Sequence, residues 1–265
     1  MSQLVVSDLY IHPVKSLAAV ALASSTLDGF GLHHDRRWML VDDSGMFVTQ
    51  RFFPSMCLIT ALTEGKRLIL KARGMPDIVV SESDYGDTTT VTVWHDQCQA
   101  VDCGQDVASW LSAFLKKNCR LVYFPDKEIR QVDLAYADKG DKIGFSDGFP
   151  LLLISQSSLH DLNSRLSAAV EMQRFRPNIV VSGCEAYAED EWKRIAIGDI
   201  TYRIVKACSR CSIPSINPLT AARETEPLKT LRTYRMRDNK VYFGQNVIAD
   251  NIGQINTGMA VEVLE

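Results

Sequence analysis

Residues 201–218 read TYRIVKACSRCSIPSINP. The first six of them, Thr201 to Lys206, have the β-branched and apolar composition of a strand. Cys208 and Cys211 follow, and then come two prolines, which disfavour a helix because proline lacks an amide proton and restricts the residue before it. The sequence therefore predicts that the two cysteines lie just beyond a strand, outside any helix.

This Cys-x-x-Cys pair has four interpretations. A thioredoxin-like dithiol would need its first cysteine at a helix N-terminus, which the prolines disfavour. Half of a zinc site would need two more ligands at metal-like spacing, and neither the other cysteines nor the five histidines supply them. A single thiolate ligand to a soft metal and a pair of buried, inert cysteines both stay open at this point.

Basic residues stand at the ends of predicted strands elsewhere in the chain. Lys15 and Ser16 follow the first strand, Arg36 precedes another, and Arg176 lies two residues before Asn178, where a third begins. The guanidinium fork matches phosphate oxygens, so these residues, together with the arginine of the cysteine pair, are candidates for an anion site. Each is equally typical of a protein surface, and the sequence alone does not show that they converge.

Short strand patterns dominate the chain. Apolar alternation and short apolar runs predict strands at 4–11, 38–41, 46–49, 67–71, 90–94, 150–154, 178–181, 201–206, 240–243 and 259–264. Helical spacing predicts one helix capped by Asp106 and a second capped near Ser155 or Ser157. Many strands with few helices favour a strand-rich α+β fold that contains a barrel.

Residues 125–148 interrupt this pattern. The segment PDKEIRQVDLAYADKGDKIGFSDG is charged, contains glycine and lacks apolar periodicity. Such a segment is typical of a domain boundary or a long functional loop. We therefore expect two domains, residues 1–125 and 126–265.

Composition excludes several classes of protein. A chain of 265 residues with 46% hydrophobic residues can form a sizeable core, and a net charge of −3 gives no basic field, so we expect no stable nucleic-acid complex. No apolar run approaches the length of a membrane span, so we expect no membrane association. The first residues resemble neither a signal nor a transit peptide, which predicts a cytoplasmic protein whose seven scattered cysteines are mostly reduced.

Several segments together resemble the MOSC family, and within it the amidoxime-reducing branch. They are YIHPVKS (10–16), DRRWMLVD (35–42), ISQSSLHDLNSRL (154–166), RFRPNIVVSGCEAYAEDEW (174–192), KACSRC (206–211), EPLKTLRTYR (226–235) and FGQN (243–246). These segments extend from the first strand nearly to the last, so the resemblance covers both halves of the chain.

The resemblance implies an N-terminal β-barrel-like domain followed by a MOSC β-barrel domain with a few helices. It also implies a molybdenum cofactor, in which molybdenum is bound by molybdopterin and by Cys211, the second cysteine of the pair. The residues that would hold the cofactor are Lys15, Ser16, Arg36, Ser146, Asp147, Arg176, Asn178, Ser209 and Arg210. Gly148 stands where animal members carry serine.

The implied activity is an oxidoreductase that reduces N-hydroxylated small molecules such as amidoximes, hydroxylamines and N-hydroxylated bases. The sequence has no dinucleotide fingerprint and no ferredoxin-like cluster of four cysteines, so electrons would come from a separate flavin or iron–sulfur reductase. Two alternatives stay open. One is a protein that carries the cofactor or sulfur without such turnover, and the other is a metal-free protein whose cysteine pair is inert or redox-regulatory.

Overall fold

The computed structural model describes residues 3–65 and 67–265. Within them the helices are α1 (Gln105–Leu115), α2 (Gln156–Ser164) and α3 (Leu228–Tyr234), with 3₁₀ turns at Pro54–Leu58, Glu82–Asp84, Met172–Phe175, Ala188–Asp190 and Ile213–Ser215. The strands are β1 (Val5–Ile11), β2 (Val20–Leu22), β3 (Ser24–Asp28), β4 (Gly31–Leu32), β5 (Trp38–Val41), β6 (Thr60–Glu64), β7 (Arg67–Lys71), β8 (Ile78–Ser81), β9 (Thr88–Val93), β10 (Asp96–Asp102), β11 (Arg120–Tyr123), β12 (Leu151–Ser155), β13 (Ile179–Ser182), β14 (Arg194–Ile197), β15 (Ile200–Ser209), β16 (Met236–Arg237), β17 (Lys240–Ala249), β18 (Gly253–Asn256) and β19 (Val261–Val263). The predicted strand-rich α+β fold is confirmed.

The main sheet carries the cysteine pair. Its strand order is β19-β14-β15-β17-β12-β13-β1-β2, with β16 added beside β17. Its pairs are antiparallel except β12 with β13, which are parallel. Each residue of β12 is buried, as expected for a strand covered on both faces. Strand β15 pairs with β14 and β17 within this sheet. It contains Cys208, which was predicted to lie beyond the strand, and it ends two residues before Cys211.

Three smaller sheets complete the fold. Their orders are β5-β11-β10-β9, β18-β3-β4 and β6-β7-β8. Helix α1 packs Val107, Trp110 and Leu111 into a cluster that also contains Leu68 and Leu70 of β7. The apolar stripe of this helix therefore forms part of a core, as its helical spacing predicts.

The structure corrects two local sequence predictions and decides between the alternatives of a third. Asp106 lies in the first turn of α1, and the N-cap is Gly104, whose φ of 97° suits a residue without a β-carbon. Ser155 caps α2, because its side chain accepts a hydrogen bond from the amide of Ser158. After β5, the predicted partner strand at 46–49 is reduced to isolated bridges at Met46 and Phe47.

The segment between β11 and β12 contains neither helix nor strand, apart from an isolated bridge between Gln131 and Lys142. The N-terminal strands β1 and β2 lie in the main sheet, where β1 pairs with β13. The proposed domains, 1–125 and 126–265, stay a prediction. The structure shows that the beginning of the chain helps to build the sheet that carries the cysteine pair.

We predict that Gly244→Ala destabilises the protein strongly, because a β-carbon there would lie 2.6 Å from Cγ1 of Ile154 and 2.9 Å from the carbonyl oxygen of Leu153. Gly74→Ala is the matched control, because Gly74 has the same φ of +80° but open space around it. The control should lose about 1–2 kcal/mol from the left-handed backbone alone. Gly244→Ala should lose a further ~1–3 kcal/mol from overpacking. Urea unfolding measures both, and equal losses would contradict the packing account.

Candidate functional site

One cavity, of about 290 Å³, collects the residues singled out in the sequence. It lies where the loop after β1, the end of β15 and the segment before β12 meet. All ten predicted site residues line it: Lys15, Ser16, Arg36, Ser146, Asp147, Arg176, Asn178, Ser209, Arg210 and Cys211. The convergence that the sequence could not show is therefore present, while the role of each residue in holding a cofactor stays a prediction.

The two cysteines of the pair have different surroundings. Cys208 packs against the apolar cluster that contains Phe175 and Phe243, and its sulfur accepts a hydrogen bond from Nη1 of Arg210 at 3.1 Å. Cys211 lies two residues beyond β15 and is exposed at the cavity wall. Nη2 of Arg51 lies 3.4 Å from its sulfur. One thiol is therefore part of the packing, and the other is free to take a ligand.

The carboxylate of Asp147 organises the mouth of the cavity. It accepts hydrogen bonds from the ammonium of Lys15, from Nη2 of Arg51 at 2.9 Å and from the indole N–H of Trp94 at 3.0 Å. Desolvation would raise the pKa of Asp147, but Lys15 and then Arg51 outweigh it and hold that pKa well below its usual range. Burial lowers the pKa of Lys15 to about 8, opposed by the nearby carboxylate.

Two further arginines form the inner wall. Arg36 donates to Oδ1 of Asn178 at 2.9 Å and pairs with the buried carboxylate of Asp35. Arg176 donates to the carbonyl oxygen of Leu17 at 2.7 Å. Burial, and then the charge of Arg36, lowers the pKa of Arg176 to about 9. Two guanidinium groups held this close together would be stabilised by an anion between them.

The cavity has an excess of positive charge. Six of its lining residues are basic and one, Asp147, is acidic. Nε of Arg210 is buried and has no hydrogen-bond partner among the residues described. Neither Arg176 nor Arg210 forms an ion pair with a carboxylate in the described part of the chain. The site therefore fits an anionic ligand that accepts several hydrogen bonds.

The described residues contain no group of three or more histidines, cysteines, aspartates or glutamates that could hold a metal ion by themselves. A metal beside Cys211 would therefore need further ligands from a bound molecule. An anionic cofactor that brings its own metal ligands, and leaves one position for a thiolate, fits both this donor set and the positive charge of the cavity.

Sequence reasoning missed four residues at this site. Arg51 and Trp94 contact Asp147 directly, and Lys206 and Asn246 line the cavity. Arg51 and Trp94 belong to loops with no motif of their own, so no local signal marked them. Lys206 and Asn246 do lie within segments that carry the family resemblance, KACSRC and FGQN, and these segments could have indicated them.

Comparison with protein families decides the classification. The MOSC N-terminal beta barrel domain matches residues 3–118, and the MOSC domain matches residues 140–262. The chain belongs to the MOSC family. Relatives within this family include mitochondrial amidoxime-reducing component 1 of Mus musculus, 36% identical, and of Homo sapiens, 37% identical. Each alignment covers 98% of this chain and 82% of the relative.

A further relative is mitochondrial amidoxime reducing component 2 of Rattus norvegicus, 35% identical over 96% of this chain and 81% of its own length. These MOSC relatives support a role related to the molybdenum cofactor. They also show that the predicted cytoplasmic location is wrong, because their names point to mitochondria. Of the helices in the described residues, none has the length and apolar character needed to cross a membrane.

We predict that the stability of the cofactor-free protein depends on pH through Lys15. Its pKa is about 8 in the folded protein against 10.5 when unperturbed, so between these values the folded protein binds fewer protons than the unfolded chain. Stability should therefore rise with pH across this window, by ~3 kcal/mol in total. Urea unfolding of wild type and Lys15→Met at several pH values isolates this contribution, because the other titrating groups are common to both. Parallel curves would show that Lys15 is not perturbed.

Proposed function

We propose that this protein is a molybdenum-dependent oxidoreductase that reduces N-hydroxylated compounds, with Cys211 as the protein ligand to molybdenum. The observation that carries the proposal is the exposed thiol of Cys211 at the wall of a strongly basic cavity, in contact with Arg51. The names of the MOSC relatives support amidoximes as the substrate class. Hydroxylamines and N-hydroxylated bases contain the same reducible N–O bond and belong to the same proposal.

The basic wall would hold the anionic part of the molybdenum cofactor. Arg36 and Arg176 both line the cavity, and Nη2 of Arg36 donates to the carbonyl oxygen of Arg176 at 3.3 Å. Ser16, Ser146, Asn178 and Ser209 supply neutral hydrogen-bonding groups around them. Guanidinium groups bind phosphate oxygens in a bidentate manner, so the arginines would fix both the position and the orientation of a phosphate.

The mouth of the cavity has a different role. Arg51 links the sulfur of Cys211 to the carboxylate of Asp147, and Lys15 holds this carboxylate from the other side. This arrangement places a guanidinium beside the sulfur of Cys211, and sulfur is the type of donor that a soft metal prefers. Arg210 donates to Cys208 and to the carbonyl of Phe175, which fixes the backbone just before the ligand.

When bound, the cofactor would supply the two-electron chemistry. In the overall reaction the N–O bond of the substrate breaks, two electrons and two protons are taken up, and the oxygen leaves as water. An amidoxime thereby becomes an amidine. The electrons would come from a separate flavin or iron–sulfur reductase, because the chain contains no dinucleotide fingerprint of its own.

We predict that Cys211→Ser abolishes the reduction of benzamidoxime by an artificial electron donor, while Cys208→Ser retains a measurable share. Serine replaces the exposed sulfur donor with a harder oxygen donor at position 211, but only alters packing at position 208. Turnover and molybdenum content are measured together for both variants and the wild type. Equal loss in both variants with molybdenum retained would identify a dithiol site, and wild type that holds the cofactor without turnover would identify a carrier.

We predict that Arg176→Ala lowers molybdenum content before it lowers stability. Each charge-assisted contact to a phosphate contributes about 1.5–3 kcal/mol, so cofactor affinity should fall at least tenfold. Arg176→Lys should also bind more weakly, because an ammonium cannot form the bidentate contact. Arg165→Ala is the control, because that arginine is exposed, pairs with Asp161 and does not line the cavity. Full molybdenum content in an Arg36→Ala, Arg176→Ala double variant would contradict the anion site.

A further inference from the structure

A second cavity, of about 520 Å³, adjoins the site cavity. The two share Asp147, Gly148, Phe149 and Lys206 as a common wall. Trp94 lines the second cavity on the side of the β9–β10 hairpin. We call this cavity the Trp94 groove. A molecule bound in it would have one end beside Asp147, which is linked through Arg51 to the sulfur of Cys211.

Trp94 has a backbone conformation that is costly for its residue type. It begins the two-residue turn between β9 and β10 and has a φ of 58°, in the region that glycine or asparagine normally occupies. Despite this strain, its indole N–H donates to Asp147 at 3.0 Å, and the guanidinium of Arg51 lies 4.7 Å from its ring centroid. Strain of this kind persists where the surrounding structure holds the residue, and it is concentrated at functional sites.

A second aromatic side chain lines the groove. Phe149 lines both cavities, and Tyr136 packs edge-to-face against it with ring centroids 6.0 Å apart. The ammonium of Lys206 lies 3.8 Å from the ring centroid of Tyr136. A groove lined by both Trp94 and Phe149 suits a flat, aromatic body, because such rings gain both area burial and offset or edge-to-face contacts.

The two cavities differ in charge. The site cavity has six basic lining residues and one acidic residue, whereas the groove has three acidic residues (Asp96, Asp133 and Asp147) and two basic ones, with His95 besides. Nε of Arg130 is paired with Asp96 at 2.6 Å, and Asp147 is paired with Lys15 and Arg51, so most of the charges along the groove are compensated within the protein. The site cavity therefore favours an anion, and the groove favours a molecule without net charge. Amidoximes are neutral at pH 7 and the amidines formed from them are cations.

From these observations we propose that the Trp94 groove binds the organic body of the substrate, that it selects flat, aromatic, uncharged N-hydroxylated compounds, and that Trp94 is a specificity-determining residue. The identity of the substrate rests on the proposed function. The groove as a binding site for neutral aromatic molecules rests on the cavity, the rings and the charges alone.

The test compares benzamidoxime with acetamidoxime, which carry the same reacting group on an aromatic and an aliphatic body. Binding is measured by calorimetry without an electron donor, so that no turnover occurs, and KM and kcat are then measured with a donor. Trp94→Gly removes the ring and suits the positive φ, so it should fold. Trp94→Phe keeps a ring without the N–H. Ile252→Ala, at an exposed apolar residue that lines neither cavity, is the control.

Trp94→Gly should weaken benzamidoxime binding and raise its KM about tenfold, with a much smaller change in kcat and in acetamidoxime affinity. Trp94→Phe should recover most of the affinity, and the control should match wild type. Equal effects of Trp94→Gly on the binding of both compounds, or no effect on either, would contradict the proposal that the groove binds the aromatic body. If wild type binds benzamidoxime through Trp94 but turns over neither compound, the groove stands and the proposed function falls. If wild type turns over benzamidoxime and Trp94→Gly keeps the same preference for benzamidoxime over acetamidoxime, the proposed function stands and the groove falls.

Discussion

The carboxylate of Asp147 connects parts of the chain that are far apart in sequence, and the geometry around Cys211 depends on it. It accepts hydrogen bonds from Lys15 after the first strand, from Arg51 and from Trp94. Arg51 then contacts the exposed sulfur at the end of β15. A single acidic group thus joins three N-terminal segments, and one of them, through Arg51, contacts the thiol of Cys211. Without it, the basic residues at the mouth would repel one another.

Positive charges are buried at this site, which lowers the free energy of unfolding. Burial and the nearby charge of Arg36 disfavour the charged form of Arg176, and burial disfavours the charged form of Lys15. Carbonyl oxygens offset part of this cost, since Leu17 accepts from Arg176 and Phe175 accepts from Arg210. Buried charges that lower the stability of the fold are typical of functional sites. An anionic ligand would neutralise these buried positive charges and so remove the loss of stability. The Trp94 groove beside the site cavity is less basic, so a neutral substrate would bind there, separately from the anion.

Local features of this fold were predictable where a short pattern determines the structure. The alternation in β7 gave its bounds, and Ser155 was among the residues predicted to cap α2. The basic residues near the cysteine pair were identifiable as candidates because their side chains suit phosphate. Arg51 and Trp94 were not, since their role depends on contacts with residues far away in sequence. The location was predicted wrongly because it was inferred only from the absence of a leader pattern in the first residues.

In the proposed function, Cys211 supplies a sulfur ligand to molybdenum beside those of the cofactor. X-ray absorption at the molybdenum edge counts sulfur ligands directly and does not require turnover. We expect one fewer sulfur ligand in Cys211→Ser than in wild type, and an unchanged number in Cys208→Ser. An unchanged sulfur count in Cys211→Ser with molybdenum bound, or no molybdenum in the wild-type protein after expression in cells that make the cofactor, would contradict it.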